Sequence, residues 1–159
     1  MAALTTARVW DEIDKRMFAV ISCVNPRGEP RSAGIVYVTN DRRLIIATAT
    51  DSWKARHLRV NPQVAVTVTI AKHIPFMPWI QIPAATISFH GSTTVLSPDE
   101  ANADVVHRLM GGLEDDPARR SETCVIAITP ASSLATYGVG VGLREMRDRN
   151  KARGRVPAT

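Results

Sequence analysis

The segment 64–70 restricts the fold of this chain more than any other, because two classes of side chain alternate along it. Valine or isoleucine stands at every even position, and alanine or threonine stands at every odd position. A period of two places the large branched side chains on one face of a β-strand and the small ones on the other. The sequence therefore predicts a β-sheet that packs one of its faces against a core.

Other segments have the length and the β-branched composition of strands, and turn residues separate them. Residues 25–30 contain the asparagine, glycine and prolines that a tight turn requires, which predicts a hairpin. The interval 71–83 contains three prolines and is predicted to be a loop rather than a central strand. The predicted strands are residues 17–24, 31–38, 44–48, 64–70, 84–96, 124–129 and 134–141.

Two helices are predicted in the first half of the chain. In the segment 5–16 large apolar residues recur at three- and four-residue intervals, and this helix is expected to cover an open barrel end. Those apolar residues are Val9, Trp10, Ile13 and Met17. A shorter helix is predicted over 51–59, because Asp51 or Ser52 can cap its start and Asn61-Pro62 ends it.

A third helix is predicted to begin at Ser97. Serine, proline and glutamate at positions 97, 98 and 100 fit a capping box with proline at the first helical position. The helix is expected to run to about Met110 and to stop at Gly111-Gly112.

These elements predict a mainly β fold, with six or seven antiparallel strands in a barrel and two or three short helices, since closure removes exposed edges. The length of 159 residues, 45% of them hydrophobic, matches one globular domain. Six basic and two acidic residues follow Gly142, so that the end of the chain carries +4 of the net charge of +5. We expect a barrel domain over residues 1–142 and a basic C-terminal tail over residues 143–159.

The composition also excludes several classes of protein. Cys23 and Cys124 are the two cysteines, and each lies in an apolar stretch, which argues against a disulfide framework or a cysteine metal site. No apolar run approaches the roughly eighteen residues of a membrane span, and the N-terminus does not read as an export signal. A cytoplasmic protein is expected, and nucleic acid is not favoured as its main ligand because the body of the chain is nearly neutral.

One run of residues carries a family signature. After the strand 44–48, which contains Ala47 and Thr48, come Ser52-Trp53-Lys54, then Leu58, then Asn61-Pro62 and the valine-rich strand. Similar proteins read strand, Thr, Ser-x-Lys, Leu, Asn-Pro, strand. The earlier pattern Asp/Asn-x-x-Gly-x-Pro is matched by residues 25–30. Over residues 17–97 the chain therefore resembles the pyridoxamine 5′-phosphate oxidase-like split barrel, also called the flavin/deazaflavin oxidoreductase superfamily.

The resemblance implies a site for FMN or for coenzyme F-420. The hydroxyls of Thr48 and Ser52, the cation of Lys54 and unpaired N–H groups at a helix start could together hold a cofactor phosphate. By resemblance, residues 32–35 would lie along the isoalloxazine ring, and Thr86 would be contributed by the partner subunit. The expected cofactor-binding residues are Arg31, Ser32, Ala33, Gly34, Ile35, Ala47, Thr48, Ser52, Trp53, Lys54 and Thr86.

Simpler roles remain open for some of these residues. Lys54 and Arg56 could form only the solvated face of a helix, and Gly34 could be only a bulge. Trp53 stands where many relatives have arginine, so Arg31 or Arg56 is expected to supply the missing cation. No catalytic residue is assigned, His57 and His90 included, because flavin chemistry needs no protein nucleophile. No metal site is expected, because the histidines lack ligand spacing.

A homodimer is expected, because a barrel this small is filled by its own side chains and a ring cofactor must lie outside it. Residues 17–24 and 44–47 are apolar on both faces, which predicts that a partner covers them. The function that follows is hydride transfer between FMN or coenzyme F-420 and a small organic substrate. The alternatives are a non-catalytic flavin- or haem-binding protein on the same barrel and a nucleic-acid-associated protein that acts through its tail.

Overall fold

The computed structural model describes residues 4–72, 76, 82, 84–142 and 144–159. The helices are α1 (Thr6–Asp14), α2 (Trp53–Val60), α3 (Ala103–Met110), α4 (Pro117–Glu122) and α5 (Arg149–Ala152), with 3-10 turns at Leu113–Asp115 and Glu145–Arg147. The strands are β1 (Phe18–Val24), β2 (Pro30–Val36), β3 (Val38–Asn40), β4 (Arg43–Ala49), β5 (Gln63–Ile70), β6 (Ala85–Leu96), β7 (Thr123–Pro130), β8 (Ser133–Tyr137) and β9 (Arg153–Pro157). The predicted loop 71–83 lies largely outside the described residues.

One antiparallel sheet curls on itself to form the body of the protein. Its strand order is β2-β1-β5-β6-β7-β4-β3, and β8 and β9 extend it from β6. β2 and β3 lie at opposite ends of this order, yet only Tyr37 separates them in the chain. The Tyr37 side chain is buried, and its hydroxyl donates a hydrogen bond of 2.8 Å to the carbonyl of Ile13. The same stretch of chain thus supplies both edges, and the predicted mainly β barrel class is confirmed.

The alternation of β5 is confirmed. Its four large residues, at positions 64, 66, 68 and 70, are at most 6% exposed and belong to the main core. On α1, Val9, Trp10 and Ile13 pack into the same core, as predicted. Met17 is the exception at 68% exposed, because α1 ends at Asp14 and the chain has left the helical path.

A second, smaller core lies on the outer face of β4 and β7. Ile45, Val125 and Ala127 are buried there beneath Val105 and Val106 of α3. The expectation that a partner subunit must cover residues 44–47 is therefore wrong as far as Ile45 is concerned, because α3 covers it.

The predicted capping box at Ser97 does not begin a helix. The backbone N–H and hydroxyl of Ser97 donate to the Glu100 carboxylate at 2.8 and 2.9 Å, but this closes only a turn. α3 begins at Ala103, where the Asn102 side chain accepts hydrogen bonds from two first-turn N–H groups. The Asn102 cap, and not the Ser97 cap, therefore sets the start of α3. The predicted stop is confirmed, since Gly111 takes the left-handed conformation with φ of 61°.

The end of the chain belongs to the sheet. β9 pairs with β8, and the side chains of Val156 and Ala158 are buried in the main core. The described residues form nine strands and five α-helices, more than the six or seven strands and two or three helices predicted. The additional elements are short. The sequence pattern did not indicate β9, because most of its side chains are exposed and two of them are arginines.

Candidate functional site

The start of α2 forms a cup of hydrogen-bond donors at one end of the barrel. β4 ends at Ala49, and α2 follows after one turn with Ser52 as its N-cap. The Ser52 hydroxyl oxygen accepts hydrogen bonds from the Ala55 N–H and from the Thr48 hydroxyl, both at 3.2 Å. The N–H groups of Trp53 and Lys54 have no acceptor within the helix. The four predicted residues 48 and 52–54 are thus brought together.

Lys54, the second residue of α2, has an aromatic neighbour. Its ammonium nitrogen lies 5.4 Å from the centroid of the Trp53 ring, which packs against the main core and lies 5.5 Å from the ring of His57. A cation over an indole face is stabilised by about 0.5–1 kcal/mol at a partly exposed site. Within the described part of the chain Lys54 forms no ion pair. Its charge is therefore available to an anion.

A small cleft of about 240 Å³ adjoins the cup on the outer side of β4. Its β4 wall is Ala47, Thr48 and Ala49, and its other walls are three apolar side chains, one arginine and one threonine. Those opposite residues are Leu109, Met110, Leu113, Arg119 and Thr123. The sequence contained no signal for them, because Thr123 comes beside β4 through the β4–β7 pairing and the others only through the packing of the segment 109–119.

Arg31 lies at the same end of the barrel as α2. It is exposed and stands opposite Cys23 in the β1–β2 register, and Cys23 stands opposite Val64, near the start of β5. Since β5 begins three residues after Val60, the last residue of α2, this register places Arg31 at the same barrel end as α2, on the side where α2 ends. Arg56, the other candidate for the missing cation, is exposed on α2.

The predicted ring-binding stretch of β2 divides between two faces. Ile35 is buried in the main core, and Ala33 packs against it. Ser32 and Gly34 lie on the outer face, where the Ser32 and Ser22 hydroxyls are 2.7 Å apart. Only two of the four side-chain positions can therefore face a ligand outside the barrel.

The space above Gly34 holds the ring of Phe18. A Cβ atom at Gly34 would lie 2.8 Å from Cε2 of that ring, closer than carbon atoms can approach. Phe18 is 48% exposed, so its ring has solvent on its other side. A cofactor ring could reach the Gly34 backbone only if the Phe18 side chain turned away.

Thr86 lies far from the cup within one chain. It stands on the outer face of β6, opposite Thr69 and Tyr137, and lines a groove beside β8 and β9. The other end of β6 is tied to the segment after α2, since the Thr93 N–H donates to the Pro62 carbonyl.

Other chemistry is limited among the described residues. Burial raises the pKa of the Cys23 and Cys124 thiols, partly opposed by Arg31 and Arg59 respectively, so both are protonated and weakly nucleophilic at neutral pH. The described residues contain no group of three His, Cys, Asp or Glu side chains arranged to hold a metal ion. No described helix has the length and apolar character to span a membrane. His73 lies outside the described residues.

Several solved structures share this fold. A candidate pyridoxamine 5′-phosphate oxidase from Listeria innocua is 15% identical to this chain, with a TM-score of 0.58. The match covers 79% of this chain and 92% of that one. A protein described as an F-420 reductase is 19% identical with a TM-score of 0.55, over 77% and 92%. HutZ, the haem storage protein of Vibrio cholerae, is 15% identical with a TM-score of 0.61, over 84% and 95%. At such identities the likeness shows the fold alone.

The sequence itself identifies the family. No curated protein matches the chain. The family model described as pyridoxamine 5′-phosphate oxidase, however, matches residues 5–137, which run from the N-cap of α1 to the end of β8. This chain therefore belongs to the pyridoxamine 5′-phosphate oxidase family of split-barrel proteins.

Proposed function

We propose that the protein is an oxidoreductase that binds FMN or coenzyme F-420 and transfers hydride between this cofactor and a small organic molecule. The observation that carries the proposal is the donor cup at the start of α2. Two hydroxyls, the first two N–H groups of α2 and an ammonium that forms no ion pair among the described residues all belong to residues 48–54. This combination matches what a cofactor phosphate group requires.

The described residues fit the phosphate end of such a cofactor. The N–H groups of Trp53 and Lys54 and the Lys54 ammonium would hold the phosphate, and Arg31 at the same barrel end would add a second cation. The Thr48 and Ser52 hydroxyls would orient the loop through their mutual hydrogen bond. The cofactor supplies the hydride chemistry, and the protein supplies binding, orientation and electrostatics.

Family membership leaves the activity itself open, since proteins of this fold include an F-420 reductase and a haem storage protein. The absorption spectrum of the purified protein is the sharpest test. We expect a bound flavin or deazaflavin band, or saturable binding when FMN or F-420 is titrated, followed by bleaching with a reductant. A Soret band after purification, with no binding of either ring cofactor, would support the haem-binding alternative and reject this proposal.

We also propose that the working unit is a homodimer. The outer face of β1 and β2 presents Phe18 and Val36, which are 48% and 63% exposed, next to Met17 and the half-buried Val20. A contiguous apolar patch of this kind is unfavourable in water unless a partner covers it. A second copy would also bring its own Thr86 to the site, as the resemblance implies.

A further inference from the structure

A cavity of about 430 Å³ lies at the barrel end where β6 ends and β7 begins. Leu96, the last residue of β6, stands opposite Val125 of β7. Thr123, the first residue of β7, stands opposite Ala49 at the end of β4, so the three strand ends lie side by side. α4 and the turn that follows β6 form another wall, and Arg59 of α2 also lines the cavity. The volume of the cavity is in the range of sites for small molecules.

Much of the cavity lining is apolar. Its apolar residues are Val95, Leu96, Pro98, Pro117 and Cys124. Val95 packs against the main core, of which Cys124 is a part. Burial raises the pKa of the Cys124 thiol, partly opposed by Arg59, so this thiol stays protonated at neutral pH and adds no charge. The lining therefore favours an apolar part of a ligand, because contact removes apolar surface from water.

The charge of the cavity comes from Arg59. Its Nη1 donates a hydrogen bond of 3.0 Å to the carbonyl of Thr50, which also lines the cavity. This bond holds the guanidinium beside the end of β4. Arg59 forms no ion pair in the described part of the chain, and the Thr50 hydroxyl forms no hydrogen bond there. A guanidinium and a hydroxyl are thus available to an anion.

A second arginine of the cavity, Arg120, is already paired. Its Nε donates to the Asp99 carboxylate at 3.0 Å, and its Nη2 donates to the same oxygen. Because Asp99 also lines the cavity, two arginines and one aspartate leave a net charge of +1 among the described lining residues. The Ser121 and Thr123 hydroxyls donate to backbone carbonyls, so they cannot donate to a ligand at the same time. The lining therefore matches one negative charge placed at Arg59.

We propose that this cavity binds a small monocarboxylic acid, with its carboxylate on Arg59 and its aromatic or aliphatic body against the apolar lining. A guanidinium holds a carboxylate through paired N–H donors. A carboxylate is favoured over a phosphate monoester, because the second charge of the phosphate would have no cation left to compensate it. None of the expected cofactor-binding residues lines the cavity, so this site and the proposed oxidoreductase activity can each fail without the other.

The test is an NMR titration of the full-length, ¹⁵N-labelled protein with benzoate at constant ionic strength. We expect saturable shifts at the amides of Thr50, Leu96 and Ser121 and at the Nε–H of Arg59. Benzyl alcohol, which lacks the charge, and acetate, which lacks the ring, should each bind more weakly than benzoate. Phenyl phosphate should bind no more tightly than benzoate.

Three variants separate the contributions of charge and shape. Arg59→Ala should bind benzoate at least about tenfold more weakly, because it removes the charge-assisted contact. Arg56→Ala is the matched control, since Arg56 is exposed on the same helix and does not line the cavity. It should bind within about twofold of wild type, because an exposed charge outside the cavity is screened. Ser121→Phe keeps every charge but fills the cavity from α4, which has no buried residue, so the fold should survive and binding should weaken.

Saturable benzoate binding that depends on Arg59 and on the space beside Ser121, but not on Arg56, would confirm the site. Equal losses in the two arginine variants, absence of saturation, or shifts confined to other parts of the protein would each overturn it. Benzyl alcohol or acetate binding as tightly as benzoate would also overturn it, since either the charge or the apolar body would then be irrelevant. Tighter binding of phenyl phosphate would reject a carboxylic acid as the ligand.

Discussion

The indole nitrogen of Trp10 donates a buried hydrogen bond of 2.9 Å to the carbonyl oxygen of Ala158, 148 residues further along the chain. The Thr6 hydroxyl adds an exposed bond of the same length to the Pro157 carbonyl. Together these bonds connect α1 to the C-terminal end of β9, the strand that carries Arg153 and Arg155.

Replacement of Trp10 by Phe should lower the free energy of unfolding by about 1–3 kcal/mol. The variant leaves the buried Ala158 carbonyl without its donor, and the smaller ring leaves a cavity. Urea denaturation measures the effect. Thr6→Ala is the matched control at the same junction and should change stability by no more than about 0.5 kcal/mol, because its bond is exposed. Equal effects of the two variants would show that burial does not increase the contribution of the Trp10 hydrogen bond to the free energy of unfolding.

Lys54→Ala should weaken FMN or F-420 binding by about ten- to a hundredfold, because a charge-assisted contact to phosphate is worth roughly 1.5–3 kcal/mol. The fold should survive, since Lys54 forms no ion pair within the described residues. Fluorescence titration measures affinity. Lys15→Ala, which removes a lysine at the end of α1, is the control and should bind like wild type. Unchanged affinity of Lys54→Ala for both cofactors contradicts the donor cup.

Gly34→Val should lower the free energy of unfolding by about 1 kcal/mol through overpacking against Phe18. Its loss in the free energy of cofactor binding should be larger than this loss in stability. In the Phe18→Ala background the stability loss should largely disappear. A double-mutant cycle, followed by urea denaturation, measures the coupling free energy between the two positions. We expect about 0.5 kcal/mol or more, as is usual for residues in contact. Additive effects would place the cause of the loss somewhere other than the contact with Phe18.

Val36→Asp should shift the protein from the mass of two chains toward that of one, because it places a charge in the apolar patch of β1 and β2. Sedimentation equilibrium measures the mass. Val60→Asp is the control, since Val60 is 71% exposed but lies on α2, outside the patch. A wild-type protein that is monomeric at all concentrations rejects the homodimer.

The His107–Glu114 pair should make stability depend on pH. Its hydrogen bond raises the pKa of His107 above 6.5 and lowers that of Glu114 below 4.5. The contribution of His107 to the free energy of unfolding is complete below its unfolded pKa and is lost as pH rises through its folded pKa. The contribution of Glu114 is lost as pH falls through its own folded pKa. His107→Ala should therefore lower Tm more at pH 5.5 than at pH 8.5. The same decrease at both values would assign the loss to packing, and Glu114→Gln should reproduce the pH dependence.

The sequence by itself determined what depends on neighbouring residues. The alternation of β5, the apolar face of α1 and the Ser52 cap of α2 each rest on spacings within about one helical turn or one strand, so local geometry decides them. The donor cup could be predicted for the same reason, because Thr48, Ser52, Trp53 and Lys54 lie within seven consecutive residues.

Tertiary structure alone decided which apolar surfaces are covered and which distant residues meet. α3 covers Ile45, Phe18 occupies the space above Gly34, and Ile35 turns into the core, although the local sequence allowed other outcomes. Arg153 and Arg155 line one groove with Thr86 and Ser88 only because β8 pairs with both β6 and β9. Such contacts join residues that are far apart in sequence, and their free energy comes from burial and pairing that no local pattern encodes.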